Sequence, residues 1–328
     1  MTTTLTARVP EDLLAAVPVV LGFRPQDSLV MLTFDAPRPF HARVDLPSSA
    51  EAEASLPGLV DALVSPCLTH RVGRVVFVSY SDDAGLSARV ASALRTAFGR
   101  AGIGVIDVLR AHAGSWRRVP ARPGARETPA VPYDDEAHAF TAQAVFEGRV
   151  TLASREDLRD TLASAPEEVA RVAALQAGET APGPEDVGAV VGGLVARCVA
   201  TGESLVDADA ARVLGAVVQV EVRDAALYAV TLESAAAHLR VWADLLRRAP
   251  ECQVPDSAAV VAFCAWQAGH GALAWCALDR CFDVDPDHRL GGFLAECLTR
   301  AVPPGAWHET VCGPAPNSGA AWAEEDDW

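Results

Sequence analysis

The chain changes hydrophobic period once, near residue 116, and that change demands two kinds of architecture. Before it, short apolar runs alternate with helix-period stretches. Glu11–Leu21 reads as a helix that Pro18 should shorten or kink, with Gly22 at its C′ position and Pro25 as a stop. Ser28–Phe34 reads as a buried strand and Phe40–Val44 as a half-buried one. The short link between them predicts an antiparallel hairpin. A helix follows over Ser49–Val64, with Pro57 expected to break or restart it. Arg74–Ser79 is a strand, Leu86, Val90, Leu94 and Phe98 mark an amphipathic helix, and Ile103–Leu109 is a strand again. This alternation predicts an α/β domain over 1–115, a mixed sheet with flanking helices. Residues 116–133 carry Pro and Arg without periodicity and read as a loop or linker. From Asp134 every pattern is helical, which predicts an all-α domain over 134–312, with Ser154 and Ser164 as N-caps. Residues 313–328 end in EEDDW and read as a disordered acidic tail.

Charge narrows the chemistry. All 27 basic side chains are arginine, against 43 carboxylates, for a formal net charge of -16. The missing lysine removes the P-loop lysine, the Schiff-base lysine and the kinase strand lysine. The acidic balance argues against nucleic acid as a partner. The N-terminus lacks a basic region followed by an apolar one, and no stretch approaches the length of a membrane helix, so the chain reads as cytoplasmic with no membrane contact. The eight cysteines are scattered without a C-x-x-C pair and are expected to act as small buried hydrophobes.

Ala274, Leu278, Cys281 and Pro286 fall where the second helix of a tetratricopeptide repeat places small, large, small and proline residues. The alternative is a generic helical hairpin, since no second copy occurs upstream. A wider likeness begins at Leu13 and Leu14 and runs through Pro18, Leu21-Gly22-Phe23, Pro25 and Ser28-Leu29-Val30. It continues at Val44-Asp45-Leu46, Val75–Tyr80 with Asp82 and Asp83, Arg223-Asp224, Ala265-Trp266-Gln267 and Leu278-Asp279-Arg280. On these residues the chain resembles the bacterial domain-of-unknown-function 4192 family. The resemblance implies a GC-rich Gram-positive source, and it implies no activity. Relatives often carry paired aromatics and cysteines after the fourth strand, where this chain has Trp116 and arginines.

Three groups could carry chemistry. Arg24, Asp27 and Ser28 join a helix to a strand and could form a ligand loop, the alternative being turn chemistry. Asp82 and Asp83 follow a central strand, where open α/β sheets bind ligands and where two carboxylates could hold Mg²⁺. The alternative is a helix N-cap. Arg110, Arg117, Arg118, Arg122 and Arg126, with Trp116 among them, span a stretch without a carboxylate and could grip an anion or an acidic partner, the alternative being a solvated loop. Arg223-Asp224 and Asp279-Arg280 are expected to form ion pairs between helices. His270, His288, Cys276 and Cys281 show no zinc spacing, and no metal or cofactor is expected. Nucleophile motifs are absent.

The expectation is therefore a non-enzymatic protein-binding or regulatory module, with a protein partner or self-association. The alternative is an enzyme with a small ligand or metal at the carboxyl end of the sheet. Geometry discriminates. Convergence of Arg24, Asp82 and Asp83 on one concavity favours the ligand. Divergence, with a large apolar patch on the helices, favours the partner.

Overall fold

In a computed structural model of the chain, residues 7–121, 125–178 and 187–309 are described. The expected acidic tail, Cys312 and Arg122 lie outside them. The first helix, α1 (Pro10–Leu21), runs on through Pro18 and ends at Gly22, whose φ of 80° and N–H to the Pro18 carbonyl (2.8 Å) make the left-handed cap. Strands β1 (Ser28–Phe34) and β2 (His41–Asp45) form the antiparallel hairpin. The next helix, α2 (Ala52–Thr69), is continuous through Pro57 and Pro66, contrary to the expected break. Buried Val60, Leu63 and Cys67 hold it against the sheet, so packing outweighs the lost helical bonds.

Next come β3 (Arg74–Tyr80), α3 (Ala84–Arg100) and β4 (Gly104–His112), a strand–helix–strand unit whose two strands are parallel. Two short antiparallel strands follow, β5 (Ser115–Arg118) and β6 (Val131–Pro132). They lie almost wholly in the segment expected to be loop or linker. The six-stranded mixed sheet has the order β2-β1-β3-β4-β5-β6.

The period-2 alternation of the strands feeds two cores. Leu29, Met31, Val75 and Phe77 face α2 and α3, where they meet Leu94 and Phe98. Val30, Leu32, Val78, Tyr80 and Leu109 face the opposite way, onto Leu14 and Val17 of α1. The register slips at Ile106, so Val105 and Val108 share a face although three residues apart.

The rest is helical. Short α4 (Ala139–Phe146) and α5 (Arg155–Asp160) lead to α6 (Pro166–Gly178), α7 (Val187–Thr201), α8 (Asp207–Val217) and α9 (Val220–Tyr228). Then come α10 (Ala235–Arg248), α11 (Val254–Gln267), α12 (Gly271–Val284) and α13 (Arg289–Thr299), with a last short turn at Gly305–Trp307. Ser154 caps α5 as expected, accepting from the Asp157 N–H. Ser164 does not cap α6. The carbonyl of Ala165 begins that helix, and the Ser164 hydroxyl accepts from Arg280. The α11–α12 hairpin forms around Gly269, with Ala274 and Cys281 fully buried.

Among the described residues of the N-terminal half, buried Phe23 belongs to the helical core and half-buried Leu21 packs against it. Phe23, 1% exposed, packs with the helical cluster rather than with the sheet. An isolated parallel bridge pairs it with Leu152, through Arg24 N–H to the Leu152 carbonyl (3.0 Å) and Leu152 N–H to the Gly22 carbonyl (2.9 Å).

Candidate functional site: a polar cleft at the end of the sheet

Sheet topology builds the site. Because β3 and β4 are parallel, their carboxyl ends lie at the same edge of the sheet. β1 is antiparallel to β3 and pairs Ser28 with Tyr80, so the loop entering β1 meets the loop leaving β3. A cleft of about 540 Å³ opens there. Arg24–Asp27 form one wall, Tyr80, Ser81 and Asp82 the floor, and Ala111–Gly114 a second wall. Tyr133, Asp135 and Ala153 complete it from the chain that follows β6. The second wall is a tight turn in which Ala113 and Gly114 both have positive φ (47° and 67°), the geometry that reverses a two-residue hairpin.

Arg24 and Asp82 thus share one concavity, although 58 residues separate them. Arg24 is not free there. Its Nε reaches Asp135 at 3.0 Å and its Nη2 reaches Glu136 at 3.0 Å. Asp27 and Asp82 are exposed, and no hydrogen bond reaches either carboxylate among the described residues. Asp83 is turned away. Its Oδ1 caps α3 by accepting from the Leu86 N–H (2.8 Å), and its other oxygen accepts from Ser49. The Ser49 hydrogen bond and the Leu86 N–H hold its carboxyl below the ordinary aspartate value. Ser28 is fully buried and accepts from Arg43 Nη2 at 2.7 Å, outside the cleft lining.

The arginine segment divides. Arg110 is 7% exposed and makes a bidentate pair with Glu127 (2.7 and 2.6 Å), with a third bond to the Ser81 carbonyl. The Glu127 hydrogen bond raises its pKa against the opposing effect of burial. Trp116 is also buried, its indole N–H donating to Glu11 (3.1 Å). Arg118 pairs with Asp107 at 2.7 Å and sits 5.9 Å over the Trp116 ring. Arg117 is half-buried and Arg126 exposed. These residues do not form one gripping surface. Two of them build the interior.

Sequence reasoning missed Tyr80, Tyr133 and Asp135. Tyr80 ends β3 and is 9% exposed, yet its Oη has no hydrogen-bond partner. Burial raises its pKa well above the ordinary phenol value, with Tyr133 and Asp135 adding to the shift. Burial and Asp135 likewise push Tyr133 up to about 12. Both are neutral phenols at any physiological pH. The available signal was Tyr80 itself, a polar-tipped residue at the carboxyl end of a central strand.

Arg223 and Asp279 form ion pairs between helices, each with a partner other than its sequence neighbour, while Arg280 donates to the Leu162 carbonyl and the Ser164 hydroxyl. Arg223 reaches Asp256 of α11 at 2.5 Å and Asp224 only at 3.9 Å. Asp279 pairs with Arg155 of α5 at 3.1 Å. His288 Nε2 lies 3.2 Å from Asp256, and its Nδ1 accepts from the Gly291 N–H. Among the described residues no three His, Cys, Asp or Glu side chains gather as a metal site. Six of the seven described cysteines are buried, and burial pushes the Cys67 thiol up to about 12. No helix among the described residues is long and apolar enough to cross a membrane.

Fold and site define the class: a mixed α/β layer with a cleft at its strand ends, joined to a helical half. Residues 10–305 match the family described as Domain of unknown function (DUF4192), and the chain belongs to that family. No curated protein matches the chain, and no solved structure does.

Proposed function

We propose that the protein binds a small polar organic molecule in the cleft at the carboxyl end of β3 and β4. The unpartnered Tyr80 Oη carries this reading. A buried polar atom without a partner costs about 1–3 kcal/mol, and because Oη is closed to solvent a ligand would recover that cost as the lining shifts to admit it. The site also has the form expected of ligand sites in open α/β sheets: strand ends, loops from distant parts of the chain, and a volume of several hundred Å³. The test is native mass spectrometry of the protein purified gently from the organism that encodes it. The wild type should carry a stoichiometric organic adduct. Ala153→Trp, which fills the cleft from an exposed wall position, should not. An unliganded mass for both proteins would sink the reading.

One observation favours protein binding as a second activity. Val145, Phe146 and Val150, at the end of α4, are 65%, 87% and 74% exposed. Three large apolar side chains within six residues suit a contact with a partner or a second copy in a cytoplasmic setting.

A further inference from the structure

The electrostatics of the cleft, taken with the reading above on which this inference rests, discriminate among ligands. Its one lining guanidinium, Arg24, is matched by Asp135 and Glu136. A ligand anion would have to displace both carboxylates and stay beside them. Asp27 on one wall and Asp82 on the floor of the cleft have no hydrogen bond or ion pair among the described residues. Arg110, which feels the Asp82 charge, is held by both oxygens of Glu127. The rest of the polar lining is Gln26, Ser81, His112 and two tyrosines, of which Tyr80 has a buried and unpartnered hydroxyl. Aromatic walls beside uncompensated carboxylates are the surroundings in which organic cations are held.

We propose that the cleft selects a small organic amine, its ammonium group placed between Asp27 and Asp82 and a hydroxyl or amine hydrogen-bonded to Tyr80 Oη. The rings of Tyr80 and Tyr133 would wall the cationic end. A metal ion fits less well, because the described residues supply no cluster of three or more ligating side chains there. An acidic metabolite fits least, because it would meet Asp27, Asp82 and Asp135 with one arginine already engaged.

Ligand-observed NMR with three four-carbon probes of matched length tests this: 1,4-diaminobutane, 1,4-butanediol and succinate. The full chain should bind the diamine, with affinity falling as salt rises, and should bind the diol and the diacid at least tenfold more weakly. Asp27→Asn with Asp82→Asn, both at exposed positions, should weaken the diamine at least tenfold, and Tyr80→Phe should weaken it severalfold. Circular dichroism of each variant keeps misfolding distinct from lost binding. Succinate binding as well as the diamine overturns the inference, as does diamine binding that ignores the double substitution. An anionic adduct on protein from its own host that Ala153→Trp removes also overturns the amine while the cleft reading stands. No adduct and no probe binding removes both.

Discussion

Arg110 shows how far a charge can be read without its partner. It opens a run to Arg126 that contains five arginines and no carboxylate, and such a run suggests an exposed basic surface. The counter-charge is the next residue along, Glu127, which β5 and the following chain fold back onto Arg110. The pair is nearly closed to solvent, with the side chains 7% and 18% exposed. A buried pair of this kind adds little net stability over an apolar replacement, but removing one member strands the other charge at a cost of about 3–5 kcal/mol. Glu127→Gln is therefore expected to destabilise the protein by that amount in urea unfolding. Arg110→Met with Glu127→Leu should recover most of the loss. If Glu127→Gln unfolds at the wild-type urea concentration, Arg110 is solvated in solution and its surface role returns.

At the scale of elements, period carried most of the information. The apolar alternation in β1 and β3 and the helical stripe Leu86, Val90, Leu94 and Phe98 reappear as the two faces of the sheet and the buried side of α3. The last two strands were hidden because β5 reads Ser-Trp-Arg-Arg, with one apolar residue, and β6 is two residues long. Proline misled in the other direction, since Pro18 and Pro57 sit inside helices that tertiary packing holds together. The cleft was half legible. Arg24 and Asp82 flank strands and could be nominated, but Tyr133 and Asp135 arrive through β6, a two-residue strand with no signal of its own.

Between helices, Asp256 of α11 ties down two others. It holds Arg223 of α9 and the His288 ring that caps α13. Burial pushes its carboxyl up, but the hydrogen bonds from His288 and Arg223 outweigh that and leave its pKa below the ordinary 3.8. A carboxyl lowered by folding stabilises at pH above its unfolded value, and that contribution fades as pH falls through the folded one. Asp256→Asn should therefore melt lower than wild type at pH 6, with the gap closing as the pH drops below about 3.8. A constant gap across that range would mean the side chain acts by shape alone.

Across the whole molecule, the cleft depends on the join between the two halves. Phe23 lies one residue before Arg24, and it is buried in the helical core while Arg24 lines the sheet-end cleft. Arg43 of β2 sits 5.9 Å over its ring, so the edge of the sheet also presses on this plug. The Leu152 bridge fixes the same loop from the helical side. Anchoring the loop on a large aromatic sets where Arg24, and with it Asp135, can stand. It also makes each half a support for the other. Phe23→Ala removes a fully buried ring, at a cost of about 3–5 kcal/mol. In calorimetry the wild type should unfold in one cooperative transition. The variant should unfold in two, because the sheet cores keep Leu29, Phe77 and Phe98 and the helical core keeps Trp242 and Phe263 when the plug is gone. A single transition in the variant, shifted by less than about 1 kcal/mol, would mean that the remaining contacts at Leu152 and Asp135 carry the join without the ring.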